Sequence, residues 1–89
     1  MDTQLFEAQL KAAGYTEIET KTYVPKPANG EHGHHFGVRG LVLDGAFIVI
    51  QNDKSVTYRP GEIFTVPAGD LHCEEISPAG ARVLLGRKY

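Results

Sequence analysis

Several features that would mark particular classes of protein are missing from this sequence. It has a single cysteine, Cys73, so no disulfide can form within the chain. Nine lysines and arginines stand against eleven aspartates and glutamates, which gives a net charge of −2, and the basic residues do not cluster. We therefore expect no nucleic acid partner, because binding to phosphates requires clustered positive charge.

Long apolar runs are also absent. The longest, AFIVI at residues 46–50, is far below the roughly 20 residues that span a bilayer, so we expect no membrane partner. The first ten residues, MDTQLFEAQL, lack the basic start and apolar centre of a signal peptide. These observations favour a cytoplasmic protein.

The 89 residues suffice for a single domain with a small core. A helix is predicted over about residues 3–13, since Asp2 or Thr3 can cap it and apolar side chains recur on one face. Gly14 offers a left-handed end to this helix. A helix of about three turns does not persist alone, so its apolar face must pack on the rest of the protein.

From Tyr15 onward the period of the sequence changes to two, as in β-strands. Residues 18–24 predict a half-buried or edge strand, and PKPANG at residues 25–30 predicts a loop. Short strands then follow, separated by turn or bulge signals at residues 44–45, 51–54, 60–61, 67–70 and 77–80. This spacing favours a mostly antiparallel sandwich or small barrel over about residues 16–88.

The histidines are concentrated in one stretch, EHGHHFGVRG at residues 31–40, which holds three of the four. Because side chains alternate across a strand, His32 and His34 project to one face, and His72 and Glu74 share a face in the same way. Two such pairs aimed into one barrel would supply three imidazoles and a carboxylate, a plausible ligand set for a divalent transition metal. A surface pair of polar side chains is the alternative reading of an isolated His-x-His.

The wider pattern resembles the two sequence motifs of the cupins. In the first motif, His-x-His is followed by three or four residues, a glutamate, six residues and a glycine; here His32, His34 and Gly45 fall at those spacings. The second motif is Gly, five residues, Pro-x-Gly, two residues and His. It is matched position for position by Gly61, Pro67, Gly69 and His72.

Three positions depart from these motifs. The glycine that opens the first motif falls at Lys26, the asparagine that ends the second falls at Ile76, and the usual glutamate ligand falls at Val38. A valine cannot bind a metal. Carried over position by position, the resemblance implies three histidine ligands, namely His32, His34 and His72.

The missing glutamate leaves three outcomes open. Glu74 could restore a carboxylate from a neighbouring strand position. Otherwise three neutral imidazoles would surround an open-sided cation, as in the all-histidine centres of cysteine dioxygenase and related cupins, or the metal was lost together with the glutamate. The metal itself could be Fe, Mn, Ni, Zn or Cu.

The resemblance implies an all-β, single-domain cupin over residues 1–89, a jelly-roll (double-stranded β-helix) barrel with a short N-terminal helix, often assembled as a homodimer. It implies a metal-dependent dioxygenase, isomerase or lyase that acts on a small, anionic organic molecule. The alternative is a non-catalytic ligand-binding or sensory module, so whether the protein is an enzyme stays open. No catalytic residue is predicted.

Other residues are weighed as possible parts of the site. Arg39 and Arg59 could steer an anionic substrate, although single arginines are usually surface residues. His35 and Cys73 are not expected to bind the metal directly. Five aromatic residues are candidates to line the cavity: Tyr23, Phe36, Phe47, Tyr58 and Phe64.

Overall fold

The structure is a computed structural model that describes the whole chain, Met1–Tyr89. It contains one helix, α1 (Thr3–Ala12), and five strands: β1 (Thr16–Tyr23), β2 (Gly37–Gln51), β3 (Lys54–Tyr58), β4 (Ile63–Val66) and β5 (Cys73–Lys88). The predicted all-β class with a short N-terminal helix is confirmed. The helix is neither long enough nor apolar enough to cross a membrane.

Helix α1 begins at the cap that the sequence provides. Asp2 Oδ1 accepts hydrogen bonds from two backbone N–H groups of the first turn, at 2.7 and 3.3 Å, and thereby satisfies two donors that have no partner within the helix. The side chains of Phe6 and Leu10 are buried. They pack against Leu41 and Leu84 of the sheet, which gives the short helix the support that it needs.

The two longest strands, β2 and β5, organise the sheet. They run antiparallel and pair over nearly their whole length, from Gly37 opposite Lys88 to Ile50 opposite Cys73. Strand β1 pairs with the other side of β5, β3 pairs with the second half of β2, and β4 pairs with the first half of β2. The strand order is therefore β1-β5-β2-β3, with β4 also beside β2.

Alternation along β2 and β5 sends successive side chains to two different cores. Leu41 and Leu84 face helix α1, whereas their neighbours Val42 and Val83 face the interior of the barrel. Nine buried side chains make up this interior core: Val42, Phe47, Val49, Phe64, Val66, Ile76, Ala81, Val83 and Leu85. The barrel interior is also where the candidate site lies.

One predicted turn is wrong. Residues 77–80 do not separate two strands, because β5 continues through them and they bulge out opposite the single residue Ala46 of β2. Ser77 Oγ accepts a hydrogen bond from the Ala46 N–H at 3.2 Å and donates one to the Gly80 carbonyl oxygen at 3.0 Å. These bonds hold the segment as an insertion within one strand, which its Pro and Gly content alone does not reveal.

Truncation of Phe6 tests the packing of the helix. The variant Phe6→Ala should lower the free energy of unfolding by about 3–4 kcal/mol, because it removes a buried aromatic ring and leaves a cavity. The adjacent Leu5, a residue that is 53% exposed, supplies the control variant Leu5→Ala, with an expected loss below about 1 kcal/mol. Urea unfolding measures both, and equal losses would contradict the packing described here.

Candidate metal centre

A cavity of about 360 Å³ opens inside the barrel. Apolar side chains that include Phe47, Phe64 and Leu85 form part of its wall, and the polar cluster of histidines and Glu74 forms another part. This volume lies at the small end of the range for ligand pockets, and the mixture of an apolar wall with a few convergent polar groups is typical of such pockets.

His32 and His72 are brought together by backbone pairing. The N–H of each donates to the carbonyl oxygen of the other at 2.9 Å, so the two residues lie directly opposite one another in an antiparallel pair. Side chains at opposed positions project to the same face. The two imidazole centroids are accordingly 4.5 Å apart.

The histidine segment is not the regular strand that the sequence predicts. Residues 31–36 lie outside the named strands, and the pairing of His32 with His72 is an isolated bridge. The reason lies in the partner segment, where a turn closed by the Asp70 N–H and the Pro67 carbonyl oxygen, at 3.2 Å, provides no straight strand to pair with. Alternation nevertheless persists, since His32 and His34 are half-buried and the residues between and after them are exposed.

His34 is held by contacts to the same turn and to an aromatic neighbour. Its carbonyl oxygen accepts a hydrogen bond from the Gly69 N–H at 2.8 Å. A Cβ at Gly33 would come within 3.3 Å of the Leu71 side chain, so a glycine between the two histidines lets this segment lie close to the turn. The imidazole of His34 stacks on Phe36, with centroids 4.8 Å apart and an interplanar angle of 17°.

Glu74 completes the cluster from the start of β5. Its Oε1 lies 3.0 Å from His72 Nε2 and 3.7 Å from His32 Nε2. The Glu74 backbone is held by Asn29, whose Oδ1 accepts the Glu74 N–H at 2.8 Å and whose own N–H donates to the Glu74 carbonyl oxygen at 3.1 Å. The loop at residues 25–30 therefore positions the carboxylate.

Backbone carbonyl groups set the orientation of two of the rings. His32 Nδ1 is 2.9 Å from the Gly30 carbonyl oxygen, and His72 Nδ1 is 3.2 Å from that of Asp70. A ring nitrogen beside a carbonyl oxygen donates its proton to it, so Nδ1 of each ring donates and Nε2 is the nitrogen that faces Glu74. A bound cation would lie between these Nε2 atoms and the carboxylate oxygen, which are all acceptors. A backbone partner for the second ring nitrogen is the usual arrangement of a metal-binding histidine.

The four side chains lie close enough together to hold one divalent cation. One donor atom from each of His32, His34, His72 and Glu74 lies within 4.8 Å of all the others. Ligands at the usual bond lengths around one cation are about 3 to 4.3 Å apart, so small side-chain movements would be enough. The structure thus brings together all four ligands proposed from the sequence, in a group that could hold a metal.

Burial and nearby charges keep two groups of the cavity, His34 and Tyr23, neutral. Burial lowers the pKa of His34, and the adjacent imidazoles of His32 and His72 lower it further, so His34 is uncharged at neutral pH, the form that binds metals. Burial raises the pKa of Tyr23 to about 12, with the Glu74 carboxylate as the next cause. Tyr23 therefore keeps its proton and remains a hydrogen-bond donor beside the cavity.

Most of the other residues singled out in the sequence fall where they were expected, and this includes the two arginines, which do not line the cavity. Val38 lines the cavity as an apolar residue. Arg39 is not among the residues that line it, and Arg59 is exposed elsewhere. His35 is also exposed. Of the five candidate aromatic residues, the four that line the cavity are Tyr23, Phe36, Phe47 and Phe64.

Four polar residues of the cavity were not predicted from the sequence. Lys21 lies on β1, Lys26 and Asn29 lie in the loop after it, and Arg87 lies near the end of β5. Alternation does place Lys21 and Tyr23 on one face of β1. Which face looks into the barrel depends on the pairing of β1 with β5, and no short-range signal in the sequence gives that pairing.

The fold is shared with solved cupin structures. A cupin-superfamily protein from Desulfitobacterium hafniense is 18% identical with a TM-score of 0.63, and the match covers 76% of this chain and 62% of the other. A cupin-2 domain protein from Shewanella frigidimarina is 15% identical, with a TM-score of 0.67 and coverage of 81% and 69%. A predicted oxalate decarboxylase from Thermotoga maritima is 17% identical, with a TM-score of 0.65 and coverage of 90% and 71%.

These likenesses establish the class of the fold. The sequence itself matches no family model and no curated protein, and the chain spans only about three fifths to seven tenths of the length of the three structures. The protein has the cupin fold, in a small version. The fold predicted from the two motifs is confirmed.

The environment of Tyr23 can be tested by a spectroscopic titration. In the native protein the Tyr23 phenol should ionise at about pH 12, whereas in urea it should ionise near pH 10. Because the unfolded chain then releases this proton first, the Tyr23 contribution to stability should be complete below pH 10 and decline as the pH rises toward 12. The absorbance at 295 nm of wild type minus that of Tyr23→Phe isolates the transition, and a native transition near pH 10 would contradict it.

Proposed function

We propose that the protein is a metal-dependent cupin enzyme that converts a small, anionic organic molecule. In this proposal His32, His34, His72 and Glu74 hold a divalent transition metal. The observation that carries it is the convergence of four donor atoms within 4.8 Å of one another in the wall of a cavity. Three imidazole nitrogens and one carboxylate oxygen are ligands that suit Fe, Mn, Ni, Zn or Cu.

A bound divalent metal supplies Lewis-acid polarisation of substrate oxygen atoms or, with a redox-active ion, activation of dioxygen. The chain itself contributes the surroundings of the reaction. Phe47 and Phe64, stacked at 4.7 Å, give the cavity an apolar wall that excludes water. The protonated Tyr23 phenol can donate a hydrogen bond to a bound ligand, and positive side chains at the cavity favour an anionic one.

One structural neighbour gives limited support for this substrate class. It is described as a predicted oxalate decarboxylase, and so offers a precedent for a small organic anion in the same fold. At this level of identity the likeness concerns the fold, and reaction type does not follow from fold alone. The proposal therefore depends on the site residues.

Neighbouring glutamates provide a matched test of the ligand set. Glu74→Gln should weaken metal binding by about tenfold or more, because it removes the anionic ligand while keeping its size. Glu75→Gln should leave metal binding unchanged, since Glu75 does not line the cavity. Metal content by mass spectrometry after purification without chelators, followed by competition titration, measures both. Equal effects would remove Glu74 from the ligand set, and wild-type protein that binds no divalent transition metal would overturn the proposal.

An assay for turnover distinguishes a metal-dependent enzyme from a sensory module. Metal-loaded protein, assayed against a panel of small carboxylic acids, should convert at least one of them, and His34→Ala should lose at least tenfold in rate. Oxygen uptake together with product analysis distinguishes dioxygenase from isomerase or lyase chemistry. Tight binding of an acid without conversion by any metal form would contradict the catalytic part of the proposal and support a ligand-binding module.

A further inference from the structure

The positive charges at the cavity are not equivalent. Lys21, Lys26 and Arg87 all line it. Arg87 is already neutralised, since its Nη1 donates to Glu19 Oε2 at 2.8 Å, and this hydrogen bond raises the pKa of the guanidinium. Arg87 is therefore committed to a contact within the protein.

The two lysines are left with little compensation. Lys21 forms no ion pair, and its ammonium instead lies 5.1 Å from the centre of the Tyr23 ring. Lys26 Nζ is 4.0 Å from Glu74 Oε2. The other oxygen of that carboxylate faces His72 and His32, so Glu74 already serves the proposed metal ligands. The single negative charge of Glu74 would thus have to balance two ammonium groups and the metal cation of the proposed site.

Both lysines are held at the cavity by backbone pairing of their segment with β5. Lys21 lies opposite Val83 in the register of β1 with β5. Lys26 is bridged to Ile76, with hydrogen bonds of 3.0 and 3.3 Å between their backbones. Because Ile76 is only two residues from Glu74, this bridge places an ammonium group beside the metal ligands. The backbone of one lysine is thus fixed in β1 and that of the other in the loop beside β5.

We infer that the ligand carries two anionic groups, one bound at the His32, His34, His72 and Glu74 cluster and the other at Lys21 and Lys26. This inference rests on the proposed function, because the first group needs the metal. Two ammonium groups with one carboxylate partner between them, in a cavity with an apolar wall, suit a carboxylate or a phosphoryl group of the ligand. The small cavity limits the molecule to a short chain between its two charged ends.

The test compares ligands of equal chain length on zinc-loaded protein by isothermal titration calorimetry. Succinate, with two carboxylates, should bind about tenfold more tightly than butyrate, which lacks the second. The ligand 3-phosphonopropionate identifies the second group, since tighter binding than succinate indicates a phosphoryl group and weaker binding a carboxylate.

The lysine variants locate the second subsite. Lys21→Gln and Lys26→Gln should each reduce the advantage of succinate over butyrate by about threefold to fivefold, the range expected for a partly exposed ion pair. Lys54→Gln is the matched control, because Lys54 is an exposed lysine at the start of β3 that does not line the cavity. Zinc affinity is measured for each variant in parallel, so that an effect of Lys26 on Glu74 is recognised separately.

The outcomes distinguish this inference from the proposed function. Equal affinities for succinate and butyrate on protein that binds zinc would overturn the inference and leave the metal site intact. A succinate advantage that both lysine variants retain would overturn the assignment to Lys21 and Lys26. Protein that binds no divalent metal would overturn the proposed function and this inference together.

Discussion

The reciprocal backbone pairing of His32 with His72 is the contact on which the site depends. It joins a segment that follows a proline-rich loop to the residue that lies between a tight turn and the start of β5, and the bridge itself lies outside the named strands. Once these two residues are opposed, alternation places their second-neighbour residues, His34 and Glu74, on the same face. Four donor groups thus converge because a single pair of backbone hydrogen bonds sets the register.

The surroundings of this pair show how the fold holds polar groups in a barrel interior. Two imidazoles are oriented by backbone carbonyl groups, and Glu74 is fixed through its backbone by Asn29. The two oxygens of Glu74 face different partners, one toward the histidines and the other toward Lys26. Desolvation of these groups is offset by charge and hydrogen bonding within the cluster, as the interior of a small protein requires.

The sequence predicts the parts of this structure that depend on local patterns. A helix cap at Asp2 or Thr3, a half-buried or edge strand at β1 and the clustering of His32 and His34 with His72 and Glu74 all follow from periodicity and motif spacing. What it does not predict depends on pairing between distant segments. The bulge at residues 77–80 resembles a turn because only the opposing Ala46 reveals that β5 continues, and the lysines of the cavity resemble surface residues until β1 is placed beside β5.

The position of Val38 has a consequence for how such a protein can diversify. The carboxylate of the cluster belongs to Glu74, on the same segment as His72. Val38 therefore lines the cavity without supplying a donor atom. A substitution at this position would therefore alter the cavity wall without removing a donor group. A site that separates the reactive centre from a neighbouring shape-defining residue gives evolution, or an engineer, a single position through which to alter selectivity.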